Sequence, residues 1–146
     1  MKLDPTIENA IRTFMEGHIP FNEVLGIRIV SLGEGEARLE IPFRESLIGD
    51  PLRPAIHGGV ISSLIDTCGG AAVFTQFDDI GDRTSTVDLR IDYLRPGGKD
   101  TLIADGKVVR AGNKVAVVDV VVFHPGQAER PIATGKGVYN VRRARD

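Results

Sequence analysis

The run from His57 to Val73, HGGVISSLIDTCGGAAV, constrains the fold of this chain more than any other stretch. From Gly58 to about Gln76 there is no turn signal, which is long for a strand and fits one long helix. Asp66 is its only charged side chain. A helix that is apolar nearly all round must be enclosed on several sides rather than laid on a surface. Antiparallel strands before and after it can supply that enclosure by curling as a sheet around the helix, an α+β arrangement.

The rest of the chain supplies those strands. Residues 5 to 16 place Ile7, Ala10, Ile11, Phe14 and Met15 at helical spacing behind Pro5, and Gly17 and Pro20 stop the pattern, so residues 1–20 read as a helical lead-in. The stretch from Val24 to Val30 and the alternating run at Ala37, Leu39 and Ile41 read as two strands of a hairpin. Residues 43 to 56, with Gly49, Pro51 and Pro54, read as a loop. After FDDIGD the period becomes two, with Val87, Leu89, Ile91 and Tyr93 set against Asp88, Arg90 and Asp92. Three more strands follow over 101–110, 114–124 and 131–141, separated by strong turn chemistry. The expected order is helix, two strands, long helix, four strands, in a single domain spanning 1–146 with RRARD (142–146) as a frayed tail.

Composition narrows the function. Eighteen Lys and Arg against twenty acids give a net charge of -2, without the basic footprint that draws a protein onto nucleic acid. One cysteine, Cys68, excludes an internal disulfide and a multi-cysteine metal site and suits a reducing compartment. The first twenty residues lack the apolar core of a signal peptide, and no run reaches the roughly 18 apolar residues of a membrane span. A soluble, cytoplasmic protein is expected.

Two features of the long helix carry chemistry. Ile56, His57, Gly58 and Gly59 open it with no Ser, Thr, Asp or Asn just ahead to cap it, so its first N–H groups await an acceptor at the positive end of the helix dipole. A loop that merely needs two flexible residues gives the same HGG. Asp66 is costly on an apolar helix unless it is paired, hydrogen-bonded or open to a cleft. It can pair with Arg90, bond Ser62 one turn earlier, or serve as a base or nucleophile. Gly58 and Asp66 stand eight residues apart, about 12 Å along a helix, too far to act on one carbonyl. Two such helices antiparallel across a two-fold axis would bring Asp66 of one copy to Gly58 of the other, which points to a homodimer. Ser62, Ser63, Gly69, Gly70, Ala71 and Ala72 allow sheet or partner backbone to approach closely, or serve tight packing alone.

HGGVISSLIDTCGGAA followed by STVDLRIDYLRP resembles the hotdog-fold thioesterases, in the PaaI-like branch that uses an aspartate on the central helix. The motif resemblance covers residues 57–72 and 86–96, and the element order fits the whole hotdog domain from about 22 to 141. The resemblance implies an acyl-CoA substrate and no metal or redox cofactor, with a homodimer or a dimer of dimers as the assembly. It implies that Asp66 activates water or attacks the thioester carbon, that the Gly58 amide polarises the thioester oxygen with His57 supporting the turn, and that Thr86 places a hydroxyl that orients water. Related enzymes carry an asparagine before the histidine, where this loop reads GDPLRPAIHGG and offers only Asp50.

Other candidates are weaker. Gly59, Arg90, Arg95 and Lys99 can meet substrate or the phosphates of coenzyme A, although alternating charges on a strand usually form a solvated face. His18 and His124 lie by turns and read as surface residues. Ser62 and Ser63 have no histidine at a justified distance for a serine triad. Cys68 reads as a small buried hydrophobe. The rival functions are a hotdog enoyl-thioester hydratase or dehydratase using His57 and Asp66 as acid and base, and an acyl-CoA-binding protein without turnover.

Overall fold

The computed structural model describes residues 2–145. Its elements in chain order are α1 (Pro5–Gly17), α2 (Pro20–Leu25), β1 (Arg28–Gly33), β2 (Glu36–Ile41), a 3-10 turn (Glu45–Leu47), β3 (Ile48–Asp50), β4 (Ala55–Ile56), α3 (Gly58–Phe74), β5 (Arg83–Tyr93), β6 (Leu102–Ala111), β7 (Val115–Phe123) and β8 (Ala133–Arg142). Six strands form one antiparallel sheet in the order β1-β2-β6-β7-β8-β5, and β3 with β4 forms a separate small pair. The helix α3 packs against β2, β5, β6, β7 and β8, so the sheet wraps it, which is the hotdog arrangement.

The alternation in the strands decides which residues meet α3. Leu39, Ile41, Leu102, Ala104, Val118, Val122 and Val141 point inward and are buried with Leu64, Ile65, Cys68 and Ala72 of the helix. Small inward residues bring the layers close: a Cβ on Gly106 would stand 3.0 Å from Cys68 Sγ. On the outer face the charges answer one another across strands, with Arg38 to Asp105 at 2.6 Å and Lys136 to Asp119 at 2.6 Å. A concavity of about 920 Å³ lies on this charged outer face and includes neither Asp66 nor Gly58.

Several expectations need correction. The segment from Val24 is not yet strand: Pro20 opens α2, Gly26 ends it at φ 74°, and β1 starts only at Arg28. The carbonyls of Val24 and Leu25 at the end of α2 accept from the Arg44 guanidinium, a long-range cap that local sequence does not reveal. The 43–56 segment holds the 3-10 turn and the β3–β4 pair rather than loop alone.

The tail is not frayed over its described part. Arg142 completes β8, Arg143 Nη1 donates to Asp82 Oδ2 at 3.1 Å, and the Ala144 N–H donates to Asp82 Oδ1 at 2.9 Å. Asp146 lies outside the described residues. His124 is buried, not on the surface. Its Nε2 accepts from the Gly98 N–H at 2.9 Å, so its Nδ1 carries the proton given to Thr101 O at 2.8 Å, and the ring pins the RPGGKD turn.

Candidate active site

The site is built on the face of α3 that the sheet leaves uncovered. Gly59, Ser63, Asp66, Thr67, Gly70 and Phe74 are only half-buried, while Leu64, Ile65 and Cys68 on the remaining faces are fully enclosed.

Asp66 finds neither of the structural partners considered from sequence. Ser62 Oγ donates instead to Gly59 O at 3.1 Å, and Arg90 pairs with Asp92 at 3.3 Å. The carboxyl is held by two neutral hydroxyls. Thr86 Oγ1 donates to Asp66 Oδ1 at 2.7 Å, and Tyr139 Oη lies 3.4 Å from the same oxygen while donating to the Asp66 backbone carbonyl at 2.8 Å. No protein donor reaches Oδ2 among the described residues. Burial, and then the neighbouring Asp66 charge, push the Tyr139 phenol well above its ordinary value, so it stays a donor.

Thr86 reaches Asp66 because of a bulge. The pairing of β5 with β8 runs Thr86 to Tyr139 and then Asp88 to Val138, leaving Val87 unpaired. The extra residue re-aims the strand beside the carboxyl.

The start of α3 is organised differently from the sequence expectation. His57 is itself the cap: its Nδ1 accepts from the Gly59 N–H at 2.7 Å, which places the ring proton on Nε2. The His57 carbonyl accepts from Val60 and Ile61. The Gly58 N–H is left as the donor with no partner among the described residues. The β3–β4 pair fixes this corner, for the His57 N–H donates to Leu47 O at 2.9 Å and a Cβ on Gly49 would stand 2.7 Å from His57 Cα. The Asp50 Oδ1 accepts from the Leu52 and Arg53 N–H groups in its own turn.

Sequence reasoning missed both tyrosines of the chain. Tyr93 Oη donates to Gly58 O at 3.0 Å, and Tyr139 fills the space beside Gly69, where a Cβ would collide with its phenol. The available signal was complementary size: a bulky inward residue on a strand facing a glycine on the helix. Arg95 Nε donates to Pro131 O at 2.8 Å, and Lys99 pairs with Glu45 at 3.2 Å, so neither gathers with Asp66, and Arg90 is exposed. Cys68 is fully buried, and burial raises its thiol far above the ordinary value.

The strand carrying Thr86 is also one of the two edge strands of the sheet. On one side β5 pairs with β8; on the other it has no partner among the described residues, and Val87 and Tyr93 are 64% and 54% exposed. An uncovered edge of this length is a template for another strand.

These features have relatives. A profile of the thioesterase superfamily matches residues 54–130. The medium/long-chain acyl-CoA thioesterase YigI of Escherichia coli is 33% identical over 136 residues, covering 85% of this chain and 86% of its own. Among solved structures, a Shewanella oneidensis protein related to the thioesterase superfamily superposes with a TM-score of 0.82 at 28% identity, over 94% of this chain and 96% of that one. The PaaI protein of the Escherichia coli phenylacetic acid degradation operon gives a TM-score of 0.80 at 26% identity, over 92% of this chain and 93% of its own.

Proposed function

This chain belongs to the thioesterase superfamily and is a thioesterase of the hotdog fold, and from that premise we propose that it hydrolyses acyl-CoA with Asp66 at a site completed by a second copy. The observation that carries this reading is the state of Asp66: a carboxyl on an otherwise uncharged helix, aligned by Thr86, with no cation beside it and no donor to one of its oxygens among the described residues. The name of the similar YigI supports acyl-CoA as the substrate class.

In this mechanism the thioester oxygen accepts from the Gly58 N–H, which gathers the charge that develops there. Asp66 Oδ2 takes a proton from water as the water oxygen bonds to the carbonyl carbon. The tetrahedral intermediate collapses, the carbon–sulfur bond breaks, and the proton passes from Asp66 to the departing sulfur, giving free acid and coenzyme A. In the alternative route Asp66 itself bonds the carbon as the carbon–sulfur bond breaks and coenzyme A leaves as the thiolate; water then cleaves the resulting anhydride to the free acid and a protonated Asp66, whose proton goes to the thiolate. Thr86 acts by holding Oδ1, and its lone pairs remain free to accept from the attacking water. The Nδ1 lone pair of His57 is occupied by the Gly59 N–H, so the ring is not poised as a base through that nitrogen.

Because Gly58 and Asp66 of one helix are about 12 Å apart, the amide and the carboxyl at one carbonyl come from different copies. The unpaired β5 edge supports the pairing. Gly58→Pro removes the donor with little disturbance: His57 at φ -57° and ψ 132° already has the conformation favoured before proline, and the nearest atom to a Cβ at Gly58 is Tyr93 Cε1 at 3.4 Å. Asp66→Asn and Gly58→Pro homodimers should each be nearly inactive. Refolded together in equal amounts, they should regain about a quarter of wild-type activity through the one intact composite site in each heterodimer. No recovery, with heterodimers shown by mass, would refute the shared site.

A further inference from the structure

Three consecutive N–H groups lead the chain into α3, and each is used differently. The Ile56 N–H donates to Gly97 O at 2.9 Å, the His57 N–H donates to Leu47 O at 2.9 Å, and the Gly58 N–H is the donor proposed for the thioester. The first two bonds hold the peptide planes ahead of Gly58 and so set the direction of its N–H. One of them leads to a distant histidine. The carbonyl of Gly97 and the N–H of Gly98 belong to a single peptide group, and that N–H donates to His124 Nε2 at 2.9 Å. This one plane is held at both ends, by Ile56 at its oxygen and by the imidazole at its nitrogen, and each bond strengthens the other. Glycine on both sides leaves rotation of the plane almost unrestrained by side chains, so its orientation depends on those two bonds. The ring itself is fixed, being 9% exposed and donating from Nδ1 to Thr101 O at 2.8 Å. The Lys99–Glu45 pair also ties this turn to the 3-10 turn, but it is solvent-exposed and contributes little.

We infer that His124 is a positioning residue for the thioester oxygen: through the Gly97–Gly98 peptide it fixes Ile56, and through Ile56 it aims the Gly58 N–H. This rests on the reading of Gly58 given above. His124 acts as an acceptor at Nε2 and touches neither substrate nor Asp66. Without that acceptor the Gly97–Gly98 plane turns, the Ile56 bond weakens, and the Gly58 N–H leaves the line to the developing charge. Such a donor matters most when aimed at the transition state, so the loss falls on kcat rather than on KM.

The test is thiol release from whichever acyl-CoA the wild type turns over fastest in an aromatic and straight-chain panel, with His124→Gln, His124→Asn and His124→Leu, each alone and combined with Gly58→Pro. His124→Gln, whose amide oxygen reaches as far as Nε2, should stay within about threefold of the wild-type kcat. His124→Asn, whose shorter amide reaches only the Thr101 side, and His124→Leu, which offers no acceptor, should lower kcat by about tenfold or more with KM changed by less than about twofold. Added to Gly58→Pro, neither should lower the rate further, because no donor remains to be aimed. Folded Asn and Leu variants with wild-type kcat, equal losses for all three substitutions, or losses that multiply with that of Gly58→Pro would each overturn the inference. Failure of both the Asn and Leu variants to fold would do so too, since the ring would then hold the fold and not the donor. Wild-type turnover by Gly58→Pro alone would instead remove the reading of Gly58 on which the inference rests, and absence of thiol release from every acyl-CoA by the wild type would remove acyl-CoA as the substrate.

Discussion

Asp66 in the middle of α3 and Asp82 in the clasp between the 78–82 segment and the C-terminal strand are both carboxyls set into the fold, and they are treated in opposite ways. Asp82 is almost fully buried and saturated: it accepts from the Ala144 and Asp79 N–H groups and from the Arg143 guanidinium, which also lies over the Phe77 ring. Among the described residues Asp66 receives one short hydrogen bond, from a hydroxyl, and no cation. A carboxylate whose work is cohesion is neutralised by its neighbours, whereas the one proposed for proton transfer keeps an oxygen without a donor among the described residues.

Exchanging each aspartate for asparagine should separate the two roles. The largest effect is expected for Asp66→Asn: kcat should fall by about a hundredfold or more, as for loss of a general base, with an unchanged circular dichroism spectrum and an equal or higher Tm. A folded variant with wild-type turnover would end the comparison.

Asp82→Asn should do the reverse, lowering Tm at neutral pH while leaving thiol release per folded enzyme unaltered. Its pH dependence is specific. The Ala144 N–H, followed by Arg143, holds the Asp82 carboxyl below its ordinary range against the opposing effect of burial. A carboxyl lowered in the folded state stabilises fully above the unfolded value of about 3.9 and loses that contribution as pH falls through the folded value. The Tm gap between wild type and variant should therefore be constant near neutrality and close below about pH 4. A gap that widened on acidification would contradict the clasp.

The smallest effect sharpens the comparison from the side of Asp66. Thr86→Ala removes its one short hydrogen bond and should lower kcat by about tenfold with little change in KM. A raised KM with unchanged kcat would move Thr86 from aligning the carboxyl to binding substrate.

Periodicity revealed what periodicity governs. The apolar run from Gly58 and the alternation around Val87 to Tyr93 set α3, β5 and the wrapped sheet, and the isolation of Asp66 marks it in the sequence alone. Thr86 was placed by the motif resemblance, and the contact follows from the Val87 bulge, whose position depends on pairing with β8. Tyr93, Tyr139, His124 and the tail clasp stayed hidden because each is a meeting of distant segments. Tyr139 joins Asp66 across 73 positions and Arg143 joins Asp82 across 61, and no local pattern encodes such a pairing. The last two residues of α2 read as strand because Val24 and Leu25 carry the apolar character of β-rich text, while the helix's cap comes from Arg44, far along the chain.

The free β5 edge has a consequence for enzymology. On the proposed reading, an active site divided between copies that join along that edge obeys mass action, so specific activity becomes a function of enzyme concentration. Diluted assays would show a lag or a falling rate per milligram as subunits separate, and substrate that bridges the two halves would restore it. A kcat measured at a single low concentration would then report the association of subunits as much as the chemistry of Asp66.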